Sequence, residues 1–444
     1  MTLYRITLLS FAAYIISTGC GPGAEEKKEQ NKGKDATVAT ATQTVDLPAP
    51  YATESVRNFS NVIGWAAGQT PKAPEGFTVT AFADNLENPR WIYITPNGDI
   101  LVAESNTKSG VKDKVKNVVA GKTKSQNDGA SANRITLFRD ADSDGRYETR
   151  SLFLQNLNQP FGMLVLGNTF YVANTDGVLQ FPYTPGATSI TGQGKKILSL
   201  PAGGYNNHWT RNLLASKDGS KIYVSVGSAS NVAEHGLATE NRRAAILEIN
   251  PDGSGERLYA SGLRNPVGMG WAPGSTTLWT AVNERDGLGD DLVPDYLTSV
   301  KPGGFYGWPF YYFGQNEDPR LKDSVPKPAA ASVLVPEVPL GSHTASLGLA
   351  FDEAAALPGK YSGGAFIGQR GSWNRSQLAG YKVLFVPFKG GKPSGPPEDF
   401  LTGFLAGKEN DVHGRPVGIA FTRNGTMLVA DDAGNRVWAI RPKR

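Results

Sequence analysis

Cysteine is almost absent: the 444 residues hold one, Cys20, with only four histidines and four methionines. If Cys20 belongs to a processed leader, the body has no thiol, which excludes disulfides, thiolate metal sites and cysteine nucleophiles. A strong charge of either sign is missing as well. Lysine and arginine number 45 against 41 acids, a net +4, too small an excess to argue for a nucleic acid or an anionic membrane as partner. The apolar run from Ile6 to Ile16 is shorter than the ~20 residues a membrane span needs. Glycine, in contrast, is abundant at 52 residues beside 29 prolines, well above its usual ~7% share, and marks a chain full of turns.

Residues 1–20 read as a secretory signal, with Arg5, an uncharged apolar stretch and small residues ahead of Cys20. Ser17-Thr18-Gly19-Cys20 is similar to a bacterial lipobox, although Ser17 stands where leucine is usual. The expectation is a periplasmic or cell-envelope lipoprotein that meets the membrane only through its lipid anchor. Residues 21–47 are charged and small and predict a flexible tether. Residues 48–444 have one texture throughout and read as one domain.

Within that domain one phrase recurs six times, beginning near residues 88, 159, 208, 265, 345 and 415: a polar or proline-bearing start, an apolar strand, a turn, then a second strand ending in acids or amides. The turns Pro-Asn-Gly-Asp, Lys-Asp-Gly-Ser and Arg-Asn-Gly-Thr lie between β-branched runs, a strong hairpin signal. Helical signal is thin, limited to short turns near Ala52–Ile63 and Asp352–Ala356. Six hairpin-based units predict an all-β fold, a six-bladed β-propeller. The openings of the copies carry Arg90, Gln159, His208, Arg264 with Asn265, His343 with Thr344, and His413 with Arg415. Superposed copies would bring these polar side chains to one concave site.

His208, in YNNHWTRN, is a candidate base, since an imidazole of ordinary pKa ~6.5 suits proton transfer near neutrality. His235 reads as peripheral, and His343 and His413 stay open between pocket lining and loop packing. Asp140-Ala141-Asp142-Ser143-Asp144-Gly145 is like the start of a calcium loop, but Ser151 stands where a glutamate is expected at position twelve, which favours a solvated turn. The aromatic run FYGWPFYYFG at 305–314 could be a sugar platform, yet packing between blades is the simpler role.

The blocks SGLRNPVGMGWAP, KPGGFYGWP at 301–309, GQRGSWNRS and HGRPVGIAF, in that order with YNNHWTRN, resemble the glucose/sorbosone dehydrogenase family of soluble quinoprotein sugar dehydrogenases. The resemblance covers about Glu75 to Ile440 and implies a bound pyrroloquinoline quinone (PQQ) and a sugar or sugar-derived aldehyde as substrate. By position it implies His208 as the base, Arg264 and Asn265 beside the quinone oxygens, and Arg415 on a cofactor carboxylate. Thr344, Arg370 and Arg375 fall in the block whose counterparts contact the cofactor, and Gln159 matches a substrate-side glutamine. Calcium is implied at the carbonyls of Asp286 and Gly287, with Asp290 and Asp291 as further oxygen donors. Asn207 departs from glucose-specific members, which carry aspartate there, and puts glucose itself in doubt.

No Cys-x-x-Cys-His is present, so electrons are expected to pass to an external acceptor, a quinone or a cytochrome. Two rival readings use the same scaffold: a metal-dependent sugar lactonase, which needs carboxylates around a metal, and a non-catalytic carbohydrate-binding propeller.

Overall fold

The computed structural model describes residues 34–108, 122–125, 129–142, 145–324, 326–408 and 410–443. The signal and lipobox residues lie outside these. Six antiparallel sheets of four consecutive neighbours form the blades, the third gaining a parallel fifth strand from Gly304–Phe305. The sheets lie in chain order, and the last is completed by the first: Arg436–Pro442 pairs antiparallel with Phe77–Ala83, closing the six-bladed β-propeller. Among the described residues helix is limited to short 3-10 turns such as Leu237–Glu240. None is long and apolar enough to cross a membrane.

The second strand of a blade has both faces covered by neighbouring blades, so it reads as an unbroken apolar run rather than an alternation. Ile100–Glu104, Ile222–Val226, Leu278–Val282, Ala365–Gln369 and Met427–Asp431 are buried along their whole length. The innermost strands come closer still. A Cβ on Gly268 would lie 2.4 Å from Leu349 N of the next blade, and one on Gly418 would lie 2.6 Å from Arg90 O. Glycine at these points of the repeat lets neighbouring backbones touch around the axis.

The 305–314 aromatics take the packing role: Tyr306, Trp308, Phe310, Tyr311, Tyr312 and Phe313 are all buried. The expected tether needs correction over part of its length. Ala36–Ala39 and Thr44–Leu47 form an antiparallel hairpin, and Leu47, Ala36, Val38 and Val45 pack with Tyr296 and Leu292 of the fourth blade. Alternating valine and threonine supplies the apolar face that composition alone concealed. Beyond it, residues 48–72 run over the propeller as a strap. Tyr51 N donates to Leu288 O (2.8 Å), Asn58 N to Trp373 O (2.8 Å), and Lys72 N to Thr402 O (2.9 Å).

Gly268→Ala is expected to cost about 1–3 kcal/mol by overpacking a backbone contact, read as a lower urea midpoint. Gly407→Ala, where an added Cβ meets nothing within 4 Å, should stay within ~0.5 kcal/mol. Equal effects would contradict the close approach of the inner strands.

Candidate functional site

Three innermost strands open at a proline and lose ladder register immediately after it: Pro89, Pro266 and Pro416. Proline has no N–H to donate, so pairing is interrupted there and the chain bends. The residues around these breaks, Arg90, Arg264 with Asn265, and Arg415, are thereby brought to one end of the central channel. A cavity of about 480 Å³ opens among them, walled by four blades and the strap.

His208 lines this cavity. Its Nδ1 lies 2.9 Å from both Ser228 O and Ser228 Oγ. Ser228 Oγ already donates to Ser230 O (2.6 Å), so it can only accept, as the carbonyl must. The ring proton is therefore on Nδ1, and Nε2 carries a lone pair with no hydrogen-bond partner among the described residues. Burial, reinforced by the positive charge of Arg264, holds the imidazole pKa well below its ordinary value. His208 is therefore a neutral imidazole whose Nε2 has no partner among the described residues.

Arg264 and Asn265 line the same cavity. Arg264 is held by Glu284 O (2.6 Å), Asn231 Oδ1 (2.9 Å) and the Asp286 carboxylate (3.4 Å). Asn265 Oδ1 is buried without a partner. Gly227 leaves room for it, since a Cβ there would lie 2.3 Å from Asn265 Oδ1 and 2.6 Å from His208 Cβ. Asp286 also accepts from Asn374 Nδ2 (2.7 Å) and approaches His343 Nδ1 (3.5 Å). Burial would raise this carboxyl, but the His343 contact and the Arg264 charge overcome it and hold the pKa at about 2. Burial likewise opposes charging of His343, and Asp286 wins, raising that imidazole above its ordinary range.

Across the cavity one buried carboxylate serves three guanidiniums. Asp432 accepts from Arg90 Nη1, Arg370 Nε (2.6 Å) and Arg415 Nε (2.9 Å). Burial alone would raise Asp432, but Arg370, Arg415 and Arg90 hold it far below the usual carboxylate range. Burial and Arg370 together lower Arg90 to about 9. Arg90 and Arg370 line the cavity, Arg90 Nε is buried without a partner, and the Nη atoms of Arg370 bond to no described residue. Excess positive charge with unused donors suits a planar, multiply anionic ligand. The orphaned Arg90 Nε–H fits such a ligand's oxygens, whereas the orphaned Asn265 Oδ1 is an acceptor and suits a ligand O–H or N–H. On this count the residues present fit pyrroloquinoline quinone, which Arg90, Arg264, Asn265 and Arg370 would hold.

Not every expected residue reaches the cavity. Arg415 sits behind Asp432 and also donates to Ser125 O (2.5 Å). Thr344 Oγ1 donates to Asp295 (2.9 Å), and Gln159 Nε2 donates to Asn106 O (2.9 Å), bracing the residue before Thr107 of the lining. Arg375 binds Asp290 O (3.1 Å) and Asp291 (2.6 Å). His343 lines the cavity, whereas His413 is spent on Gly64 O and Gln69, and His235 stacks on Tyr205 at 4.2 Å. The lining adds Arg57, Phe59 and Trp373, which no repeat pattern marks.

The calcium turn is built differently from expectation. Asp286 O already accepts from Asn231 Nδ2 (2.9 Å) and Arg320 Nη1 (2.7 Å). The same guanidinium covers Gly287, where a Cβ would lie 3.1 Å from Arg320 Nη1. Arg320 is itself fixed on Asp318 through Nε (2.9 Å) and Nη2 (2.7 Å). The carboxylates of Asp290 and Asp291 are engaged by Ser376 and Arg375. Calcium needs six to eight oxygens, and a cation at this turn would press on another, so these residues do not fit it. Elsewhere, carboxylate oxygens of Asp140, Asp142 and Glu148 lie within 4.8 Å of one another on an exposed turn.

The fold and site define a six-bladed propeller with a neutral histidine in a cation-walled cavity. The chain belongs to the TrAA12-like family, which it matches over residues 71–295 and 313–443. An uncharacterised protein of Borreliella burgdorferi is 26% identical over 383 residues, 84% of this chain and 90% of that protein. Among solved structures, a carbohydrate-active enzyme of family AA12 from Trichoderma reesei superposes with a TM-score of 0.67 at 18% identity, covering 87% of this chain and 100% of that one. The PQQ domain of a pyranose dehydrogenase from Coprinopsis cinerea, a holo form, gives 0.65 at 20% identity over 86% and 100%. A PQQ-bound aldose sugar dehydrogenase from Streptomyces coelicolor gives 0.54 at 16% over 83% and 99%.

Stripping the purified protein with a chelator and then adding calcium should leave its melting temperature unchanged and its calorimetric trace flat. Uptake of calcium that Asp290→Asn abolishes would show that the Asp286–Asp291 turn opens to take the ion.

Proposed function

We propose that this protein is a PQQ-dependent oxidoreductase that removes two electrons from a sugar and passes them to an external acceptor. The observation that carries the reading is His208 Nε2, unprotonated and without a partner among the described residues, in one cavity with Arg90 Nε and the Arg370 Nη atoms, which donate to no described residue. Likeness to proteins described as PQQ-bound sugar dehydrogenases supports it. Bound pyrroloquinoline quinone supplies a two-electron acceptor. Arg264 and Asn265 would hold its quinone oxygens, and Arg370 and Arg90 its carboxylates. His208 takes the hydroxyl proton at Nε2 as a hydride leaves the same substrate carbon. Ser228 O and Oγ keep the ring turned and the proton on Nδ1 throughout.

Asn207 also lines the cavity, so no carboxylate stands next to His208 in sequence to stabilise the imidazolium. Asp286 is the sole acid among the described residues of the lining, and Arg264 and Asn374 already occupy it. A lactonase of the metal-dependent kind needs several free carboxylates, and the cavity favours an anionic cofactor instead. Acylation of Cys20, with a quinone or cytochrome as electron acceptor at the cell envelope, completes the proposal.

Adding PQQ to the purified protein should permit dye reduction with aldoses or sorbosone, and lactone cleavage without quinone would replace this reading with the hydrolase. His208→Ala should lower turnover by ~10²–10⁴ while the quinone dissociation constant, followed by absorbance, stays within about twofold. A base whose pKa is lowered loses activity only when pH falls below its own pKa. The acid limb of kcat/KM is therefore expected below pH ~6.5, and a limb at or above that value would reject His208 as the group observed.

A further inference from the structure

Resting on the sugar-oxidising reading, we propose that Trp373, seated on Phe59, is the platform for a ring-closed aldose and selects a pyranose over an open-chain aldehyde. Trp373 is among the few large apolar side chains left open, at 38% exposure, and it lines the same cavity as His208. Its ring stacks on Phe59 with centroids 5.7 Å apart and planes 12° from parallel. The stack is locked from both sides. Asn58 N donates to Trp373 O (2.8 Å) and Asn58 Nδ2 to Ser376 O (2.9 Å), while Tyr381 Oη donates to Ser372 O (2.7 Å). The ring is therefore presented rather than loosely exposed.

An isolated exposed aromatic needs no explanation, but this one has three properties that a merely packed ring lacks. It is held on Phe59, it stands in a cavity lined mostly by charged and polar side chains, with Trp209, Ala345 and Leu347 among the apolar ones, and its Nε1–H has no hydrogen-bond partner among the described residues. Arg57, two residues before Phe59 on the strap, is exposed, lines the cavity and likewise bonds to no described residue. A pyranose matches this set. Its C–H face lies against the negative π-face of the indole, and its hydroxyl oxygens accept from Arg57. An open-chain aldehyde presents no such face and gains little from the ring.

The test compares Trp373→Ala and Trp373→Phe with the parent chain, each loaded with quinone. D-glucose and D-xylose serve as pyranoses, and glyceraldehyde as the open-chain substrate. The alanine variant should raise KM for the pyranoses about tenfold with kcat within about twofold. It should leave kcat/KM for glyceraldehyde and the quinone dissociation constant unchanged, and phenylalanine should recover most of the loss. An equal loss on glyceraldehyde, weakened quinone binding or an unaltered pyranose KM would each overturn the platform. Calorimetric binding of methyl glucoside to the protein without quinone reads the same contact independently of turnover. If the parent chain takes no quinone, the proposed activity fails, while a glucoside affinity insensitive to Trp373→Ala sinks the platform by itself.

Discussion

The pairing of Phe77–Ala83 with Arg436–Pro442 closes the ring, and the cavity depends on it. Arg90 follows the first of these strands by seven residues and Asp432 precedes the second by four, so closure alone brings together two side chains 342 residues apart in sequence. Their ion pair, shared with Arg370 and Arg415, sits where the first, fifth and sixth blades meet. Loss of this seam would open the propeller and separate the carboxylate from the guanidiniums it partly neutralises. The ring closure and the charged wall are one structural event.

In that wall three guanidiniums reach one described carboxylate, Asp432, and at an effective dielectric constant of ~20 two like charges ~4 Å apart repel by about 4 kcal/mol. Burial and mutual repulsion both lower Arg90 and Arg415. The blades tolerate this because the second strands supply continuous apolar burial. An anion beside Arg90 and Arg370 would offset that repulsion. On the other side of the cavity burial, with the charge of Arg264 added to it, disfavours a positive charge on His208.

Much of this was legible in the chain, and the reason differs by residue. The six hairpin phrases, the proline breaks at Pro89, Pro266 and Pro416 and the inner-strand glycines report on the backbone, whose pairing obeys local rules. The position of a repeat opening therefore locates His208, Arg264 and Asn265 correctly in the cavity. Thr344 also lies at such an opening, Arg375 falls in the block that the resemblance matches, and Gln159 lies at another opening. Their side chains instead satisfy Asp295, Asp290 with Asp291, and Asn106 O, because the direction of a loop side chain is set by partners remote in sequence. Arg320 shows the same limit. Its hold on the Asp286 carbonyl crosses 34 residues and turns an expected metal turn into a guanidinium-bound one. Arg57 and Phe59 carried no signal at all, since their place depends on where the strap crosses the propeller. The hairpin at 36–47 had one, alternating valine and threonine, which average composition conceals.

The two halves of the site are built on different supports, and this bears on what each can do. His208 leads directly into a strand, and Arg264, Asn265 and Arg370 also adjoin strand ends. Their geometry is fixed by sheet pairing and blade packing, as an acid-base step requires. Arg57 and Phe59 come from the strap and Trp373 from the loop following Gln369, supports tied by a few hydrogen bonds. A substitution in the strap can reshape the mouth without disturbing any ladder, whereas one near Asn265 or His208 meets Gly227 and the inner strands directly. The side chains at strand ends thus sit on the rigid part of the fold, and those of the strap and loop at the mouth on the part that can change at little cost to stability.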